Sequence, residues 1–315
     1  MLKNIRKLLP LSNKWQELET FSDVVKVSSH QIHACGISTS DSAGTLVAAS
    51  AAALDKMPWD RAYYELIERT STIEALSSGC FSSLFPASKD TKLYKYSSSN
   101  GVAAGSSFAT ASASAFLELV ERDRILRSWF GGAAPVECTK YTGTIEELSE
   151  YESKAYSFED RYDADSVFVI GVFLFPKKSF PLVFGFGAAL DKLEAFRKAE
   201  REALQRVAFL FDQEADKNCE FTPDPLYHQE FFLRPENRHL IEDWLSGRFC
   251  GVCKLRESRQ KYSDQIFTDI TPSHLKGKTW VVKGYTKARI PLIFGKGYDE
   301  FFDGIPRDLA IHPIA

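Results

Sequence analysis

The sequence predicts an α+β fold with mixed and antiparallel sheets beside long helices, on three observations. Strand-like runs at Ser166 to Phe175 and Leu182 to Ala189 flank Pro176-Lys177-Lys178, a hairpin signal. Three segments carry helical periodicity: Ala62 to Leu76, a stretch ending near Trp129, and Asp191 to about Phe211. No strictly alternating series of strands and helices accompanies them, so a doubly wound parallel sheet is disfavoured.

In chain order, the first thirty residues are polar and irregular apart from Asp23 to Val27, and Val24 through Ile37 is β-like. His30 and His33 lie three apart in that stretch and point to opposite faces, which argues against a shared metal. Ser38 to Gly44 is a turn, and the Ala-rich run Leu46 to Leu54 predicts a helix. Pro58 opens the helical segment Ala62 to Leu76. A short strand at Leu93 to Tyr96 leads into Ser98-Ser99-Asn100-Gly101, a turn in which Asn-Gly takes up backbone angles most residues avoid. Small residues from Ala103 to Ser114 allow close approach to the backbone. The helix that follows runs to Trp129, before Gly131-Gly132 breaks it.

Thr144 to Phe158 is expected to be a solvated helix, its Glu146-Glu147 pair near the N-terminus as the helix dipole favours. Asp191 with Glu194 forms a capping box for the third helix. Asp224 to Leu245 is helical in parts. Gln265 to Ile270 and Trp280 to Ala288 are expected strands, ahead of a loop-like, proline-containing end.

The chain has 315 residues, enough for one large domain or two ordinary ones, with 44% hydrophobic and 26% charged residues as in globular proteins generally. A net charge of −3 gives no basic field for nucleic acid or an acidic membrane surface. No apolar run approaches the ~20 residues that span a bilayer, and the N-terminus lacks a cleavable signal, so a cytoplasmic protein is expected. Six cysteines suggest reduced thiols. Cys250 and Cys253 form a lone C-x-x-C with no second pair to complete a zinc site. Gly185-Phe186-Gly187 lacks the third glycine of a dinucleotide fingerprint. Pro272 occupies the place of the first glycine in a P-loop ending at Gly277-Lys278-Thr279.

The chemistry-bearing pattern occurs twice. Glu65-Leu66-Ile67-Glu68-Arg69 and Glu118-Leu119-Val120-Glu121-Arg122 each set two carboxylates about 5–6 Å apart on one helix face, with an arginine four residues after the first. Two amphipathic helices with ordinary Glu–Arg pairs would give the same pattern, each pair contributing about 0.3–0.5 kcal/mol. Carboxylates converging from two helices would instead repel unless a cation lies between them. Hard oxygen ligands suit magnesium, which bridges carboxylates to phosphate oxygens.

The run Ser98-Ser99-Asn100-Gly101-Val102-Ala103-Ala104-Gly105, followed by Leu117-Glu118-Leu119-Val120-Glu121-Arg122-Asp123, resembles the central motif of the YcaO-domain family of ATP-dependent enzymes that activate peptide backbone amides. Glu65-x-x-Glu68-Arg69, Ala203-x-Gln205-Arg206, Asp269-Ile270-Thr271 and His312-Pro313 extend the match. The resemblance implies a YcaO-like catalytic domain over residues 34–315, after an N-terminal segment 1–33, with helices and sheets enclosing an ATP site. It implies ATP and Mg2+ as cofactors. Glu65, Glu68, Glu118 and Glu121 would be metal ligands, with Arg69, Asn100, Glu202, Gln205 and Arg206 completing the ATP site. Arg69 and Arg122 are expected to pair with the carboxylates, and Arg206 to contact phosphate.

The implied reaction is cyclodehydration: ATP phosphorylates a backbone amide oxygen in a ribosomally made peptide, and a Cys, Ser or Thr side chain closes a thiazoline or oxazoline. Thioamide formation with external sulfide, or a non-catalytic scaffold subunit, are the alternatives. The chain departs from the family in having Ser42-Ala43-Gly44 where Gly-Lys-Gly is common, and Arg61 where a serine is common. Its end, His312-Pro313-Ile314-Ala315, only partly matches the proline-rich tails of azoline-forming members, which leaves the general base open. A separate leader-peptide-binding or E1-like partner is expected to present the peptide, and a homodimer is admissible.

Overall fold

Val24 to Ile37 does not run as one strand. In the computed structural model, which describes residues 4, 6–7, 9–79, 81–138, 148–159, 166–178, 180–211, 213–216, 219–256 and 265–314, it folds back on itself. Strands β1 (Glu19–Val27) and β2 (His30–Ser40) are antiparallel, with Val27 opposite His30. Ser28 makes the reversal at φ 55°.

Strand β3 (Leu46–Ala53) corrects the helix expected there. It pairs with β2 from Ser40↔Leu46 to His33↔Ala53. Leu46 and Ala48 are exposed while Val47, Ala49 and Ala51 are buried, an alternation of period two that the alanines' helix propensity is too weak to override.

Helix α1 (Trp59–Ser78) follows Pro58 as expected and stops at Gly79, which caps it at φ 68°. It buries Ala62, Tyr63, Leu66, Ile67 and Thr70. These meet Cys35, Ile37, Val47, Ala49 and Ala51 in one apolar cluster.

Strand β4 (Tyr94–Tyr96) precedes the Asn100-Gly101 turn, where Gly101 takes φ 69°. Strand β5 (Val102–Gly105) then leads into helix α2 (Phe108–Trp129). Ser107 and Thr110 cap α2 reciprocally: each side-chain oxygen accepts the other residue's N–H, at 3.1 and 3.0 Å.

Strands β6 (Val136–Glu137), β7 (Tyr151–Ser157), β8 (Phe168–Pro176) and β9 (Val183–Ala189) form an antiparallel sheet in that order. The hairpin of β8 and β9 is the one expected. Strand β7 corrects the solvated helix, because Tyr151 to Ser157 pairs with Pro176 to Ile170 and long-range pairing decides the conformation. The acidic pair Glu146-Glu147 lies outside the described residues.

Helix α3 (Lys192–Leu210) begins with the predicted box, the Asp191 carboxylate accepting the Glu194 N–H at 2.9 Å. Helices α4 (Pro225–Leu233) and α5 (Arg238–Leu245) follow. Strands β10 (Lys254–Leu255), β11 (Ile266–Asp269), β12 (Trp280–Tyr285), β13 (Ile293–Gly295) and β14 (Phe302–Asp303) complete the set. They form the sheets β11-β12-β5, β13-β4 and β10-β14.

The chain forms two compact units. Residues 1–86, 98–118 and 265–286 make the first, and residues 87–97, 119–264 and 287–315 the second. In the second, α3 lies directly on β9. A Cβ on Gly185 would sit 2.2 Å from the Ala203 nitrogen, and one on Gly187 2.4 Å from the Ala195 oxygen. The Gly-Phe-Gly sequence therefore serves close strand–helix packing and not a dinucleotide. Gly185→Ala is expected to destabilise the protein by about 1–3 kcal/mol, read from denaturant melts.

Candidate functional site

Both units lay a helix over the edge strand of a sheet and use its charged side chains to satisfy the strand's outward backbone groups. In the first unit the edge is β3. Arg61 donates to the Ala52 carbonyl (2.5 Å), Glu65 Oε2 accepts the Ser50 N–H (3.2 Å), and Arg69 donates to the Ala48 carbonyl (2.5 Å). Positions i, i+4 and i+8 of the helix thus meet alternate residues of the strand. One helical turn-and-a-bit rises about 6 Å and two strand residues about 6.6–6.8 Å, so the two ladders stay in step. Arg69 also pairs with Glu65 Oε1 at 2.6 Å, the pairing expected of it. Arg61 belongs to this clamp.

In the second unit the edge is β9. Lys198 donates to the Ala188 carbonyl (3.0 Å) and Glu202 Oε2 accepts the Phe186 N–H (2.9 Å). Arg206 pairs with Glu202 Oε1 at 3.3 Å and lies 5.0 Å over the Phe184 ring. The shared pattern, cation-x3-Glu-x3-Arg, is visible in the sequence once the strand is known.

Glu68 is different from its neighbours. It is partly exposed yet deep-set, and its Oε1 accepts the Ala104 N–H at 2.7 Å, which ties α1 to the strand after the Asn100 turn. Burial pushes the carboxyl up to about 8. The Ala104 N–H opposes the shift, the Glu118 and Glu65 charges add to it, and Arg69 opposes it. Among the described residues the Ala104 N–H is the one hydrogen-bond donor to this carboxyl. In the first unit the charges of Glu65 and Glu118 lie within electrostatic reach of the Glu68 carboxyl, and both add to the rise that its burial causes. Hard, mutually repelling oxygens of this kind fit Mg2+. Among the described residues no three His, Cys, Asp or Glu side chains are arranged to hold a metal by themselves. Mg2+ commonly takes one or two carboxylates and fills its octahedron with water and phosphate oxygens.

Asn100 is buried at the end of the turn, and its carbonyl accepts a hydrogen bond from the Lys283 ammonium. Sequence reasoning missed Lys283, although a lone lysine in Trp280-Val281-Val282-Lys283-Gly284-Tyr285 was a signal. Of the expected residues, Glu65, Glu68, Arg69, Asn100 and Glu118 belong to the first unit and Glu121, Glu202, Gln205 and Arg206 to the second. Glu118 and Glu121 lie one turn apart on α2. Glu118, Glu121, Glu202 and Gln205 are all half-buried, not a freely solvated helix face.

The C-terminal His312 is wholly buried in the second unit. Its Nε2–H donates to the Ile293 carbonyl (2.8 Å), and its own carbonyl accepts from His228 Nδ1 (3.0 Å). His228 Nε2 accepts the Gly295 N–H at 3.0 Å, which fixes the proton on Nδ1. This network ties the tail to β13, beside a crevice lined by Phe184, Arg206 and Pro313. Burial pushes His228 down to about 4 from 6.5, and His312 also well down. The unfolded chain therefore binds more protons between these values. The contribution of His228 to stability is full above about pH 6.5 and falls toward pH 4, by up to about 3 kcal/mol. Urea melts across that range are expected to show the decline, and His228→Gln to flatten it.

The two cysteines of the C-x-x-C differ in exposure. Cys253 is buried, which raises its thiol pKa, and Cys250 is exposed. No helix among the described residues is long and apolar enough to cross a membrane.

A family model described as YcaO cyclodehydratase, ATP- and Mg2+-binding, matches residues 77–266, more than half of the chain. No curated protein matches the sequence. Among solved structures, YcaO from Methanopyrus kandleri bound with AMPPCP and Mg2+ aligns with a TM-score of 0.53 at 16% identity, over 92% of this chain and 91% of that one. The E. coli microcin synthetase McbBCD complex gives 0.55 at 13% identity, over 94% and 96%. A heterocyclase in complex with substrate and cofactor gives 0.54 at 13% identity, over 92% of this chain and 52% of that one, so this chain spans about half its length. At these identities the likeness is one of fold.

Proposed function

The chain belongs to the YcaO cyclodehydratase family, whose cofactors are ATP and Mg2+, and from that membership we propose that it is a cyclodehydratase acting on the backbone of a ribosomally made peptide. The observation that carries the proposal is the Glu68 carboxyl, whose Oε1 accepts the Ala104 N–H at 2.7 Å after the Asn100 turn and whose pKa is raised by burial and by the charges of Glu118 and Glu65. Besides accepting the Ala104 N–H, this carboxyl would be poised to give up its proton when a cation arrives.

Glu68 and Glu118, with Glu65, would hold Mg2+, and Asn100 would border the nucleotide. Glu121, Glu202, Gln205 and Arg206 keep the nucleotide-binding roles that the family motifs assign them. When bound, Mg-ATP supplies the phosphoryl group that turns an amide oxygen into a phosphate leaving group. This chain's part is to fix positions and to compensate charge. The nucleophile is a Cys, Ser or Thr side chain of the peptide, and the product a thiazoline or oxazoline. A separate leader-peptide-binding or E1-like protein presents the substrate.

Mass spectrometry of a Cys- or Ser-containing substrate peptide incubated with the chain, its partner protein, ATP and Mg2+ tests the proposal. Loss of one water per modified residue, with phosphate released in step, is the expected result. Exchange of oxygen for sulfur in the presence of sulfide would replace cyclodehydration with thioamide formation. An unmodified peptide with no ATP consumed would leave a scaffold subunit, for which the missing Gly-Lys-Gly lysine speaks.

A further inference from the structure

Lys283 is only 3% exposed and sits on β12, the middle strand of its sheet, between the fully buried Val281 and Val282 and Gly284. A buried ammonium is costly unless its protons are matched. Here they are directed at the turn before β5: the Asn100 carbonyl accepts one, and the Ser98 carbonyl lies at 3.5 Å. The ammonium also rests 4.9 Å over the Phe85 ring, which compensates charge without competing for protons. Next to it on the strand, the Gly284 N–H donates to the Gly101 carbonyl at 2.7 Å. Three of the four turn residues, Ser98, Asn100 and Gly101, are thus covered by two adjacent strand positions, while Glu68 holds the same segment at Ala104.

We propose that Lys283 is a positioning residue: its ammonium clasps the Ser98–Gly101 turn from within, so that Asn100 and the backbone up to Ala104 are pre-set for the nucleotide. The inference rests on the nucleotide reading above and names the cation that organises its first unit. The clasp is a property of the ligand-free fold, whereas its consequence is read in nucleotide affinity. The two are measured separately.

Hydrogen exchange on the ligand-free full chain reads the clasp. Lys283→Met, which keeps the stem and removes the protons, is expected to speed exchange at Gly101 and Val102 about tenfold. Calorimetry with Mg-ATP reads the consequence, an affinity about tenfold weaker. Lys283→Arg is expected to restore much of both. Should Lys283→Met not fold, Phe85→Leu decides: it loosens the seat of the ammonium without touching the turn, and is expected to shift both readings in the same direction by less. Unchanged exchange at Gly101 and Val102 overturns the clasp. Faster exchange with unchanged affinity overturns the link to the nucleotide. A wild-type chain that binds no Mg-ATP instead brings down the function proposed above and takes the nucleotide half of this inference with it.

Discussion

Glu68→Gln is expected to weaken Mg-ATP binding by about a hundredfold, or about 2.7 kcal/mol, while leaving the fold intact. The glutamine oxygen still accepts the Ala104 N–H, the hydrogen bond Glu68 makes at 2.7 Å. What disappears is the charge offered to Mg2+ once the proton leaves. The same substitution has the opposite effect on the empty protein, in a pH-dependent way. Because the folded pKa is raised to about 8 from 4.5, the folded state holds its proton where the unfolded state has lost it. The contribution of Glu68 to stability therefore falls as pH rises from 4.5 toward 8, and above that the ionised carboxylate is fully unfavourable. Glu68→Gln should be more stable than wild type by about 0.5–2 kcal/mol at pH 9, and the gap should close near pH 4.5. Denaturant melts at the two pH values check this. A destabilised Glu68→Gln at pH 9 would mean that the carboxylate is structural.

Asp123→Ala is expected to cost about 3–5 kcal/mol, the largest loss of stability for a single side chain in the second unit. Asp123 is wholly buried. Its Oδ1 accepts Arg127 Nε at 2.9 Å and the Ile290 N–H at 2.7 Å, and its Oδ2 faces Arg289, itself 1% exposed, at 3.4 Å. Removing the carboxylate strands positive charge in the interior and unpins the turn before β13 from α2. The loss is a large share of a total stability of order 5–15 kcal/mol, and a thermal midpoint lower by roughly 10 °C should register it. Asp123→Asn, which can still accept from Ile290, should recover part. A change under about 1 kcal/mol for the alanine variant would show that the arginines find equal partners without it.

What the sequence revealed depended on how local the cause was. Helices α1 and α3 were legible because Pro58 and the Asp191–Glu194 box act within one turn, and the β8–β9 hairpin because its signal spans a few residues. Strands β3 and β7 were not, since Ala-rich and Glu-rich runs favour helix until β2 and β8 pair with them across the fold. The candidate site divides the same way. The two Glu-x-x-Glu-Arg repeats announced themselves by spacing, but the separate jobs of Glu65 and Glu68 needed the edge of β3. Glu65 answers the Ser50 N–H there. Glu68 takes the Ala104 N–H as its partner. Lys283 is invisible to any local rule, because its partners lie 183 and 185 residues away.

The central claim, that acidic side chains of this chain take up a cation together with ATP, is met most directly by titrating Mg-ATP into the protein at pH 7 in two buffers of different ionisation enthalpy. With a pKa of about 8, Glu68 is roughly nine-tenths protonated at that pH. Binding should therefore release close to one proton, and the release should fade above pH 9 and vanish in Glu68→Gln. Heat of binding with no proton exchanged would place Mg-ATP elsewhere, and no heat at all would contradict the account outright.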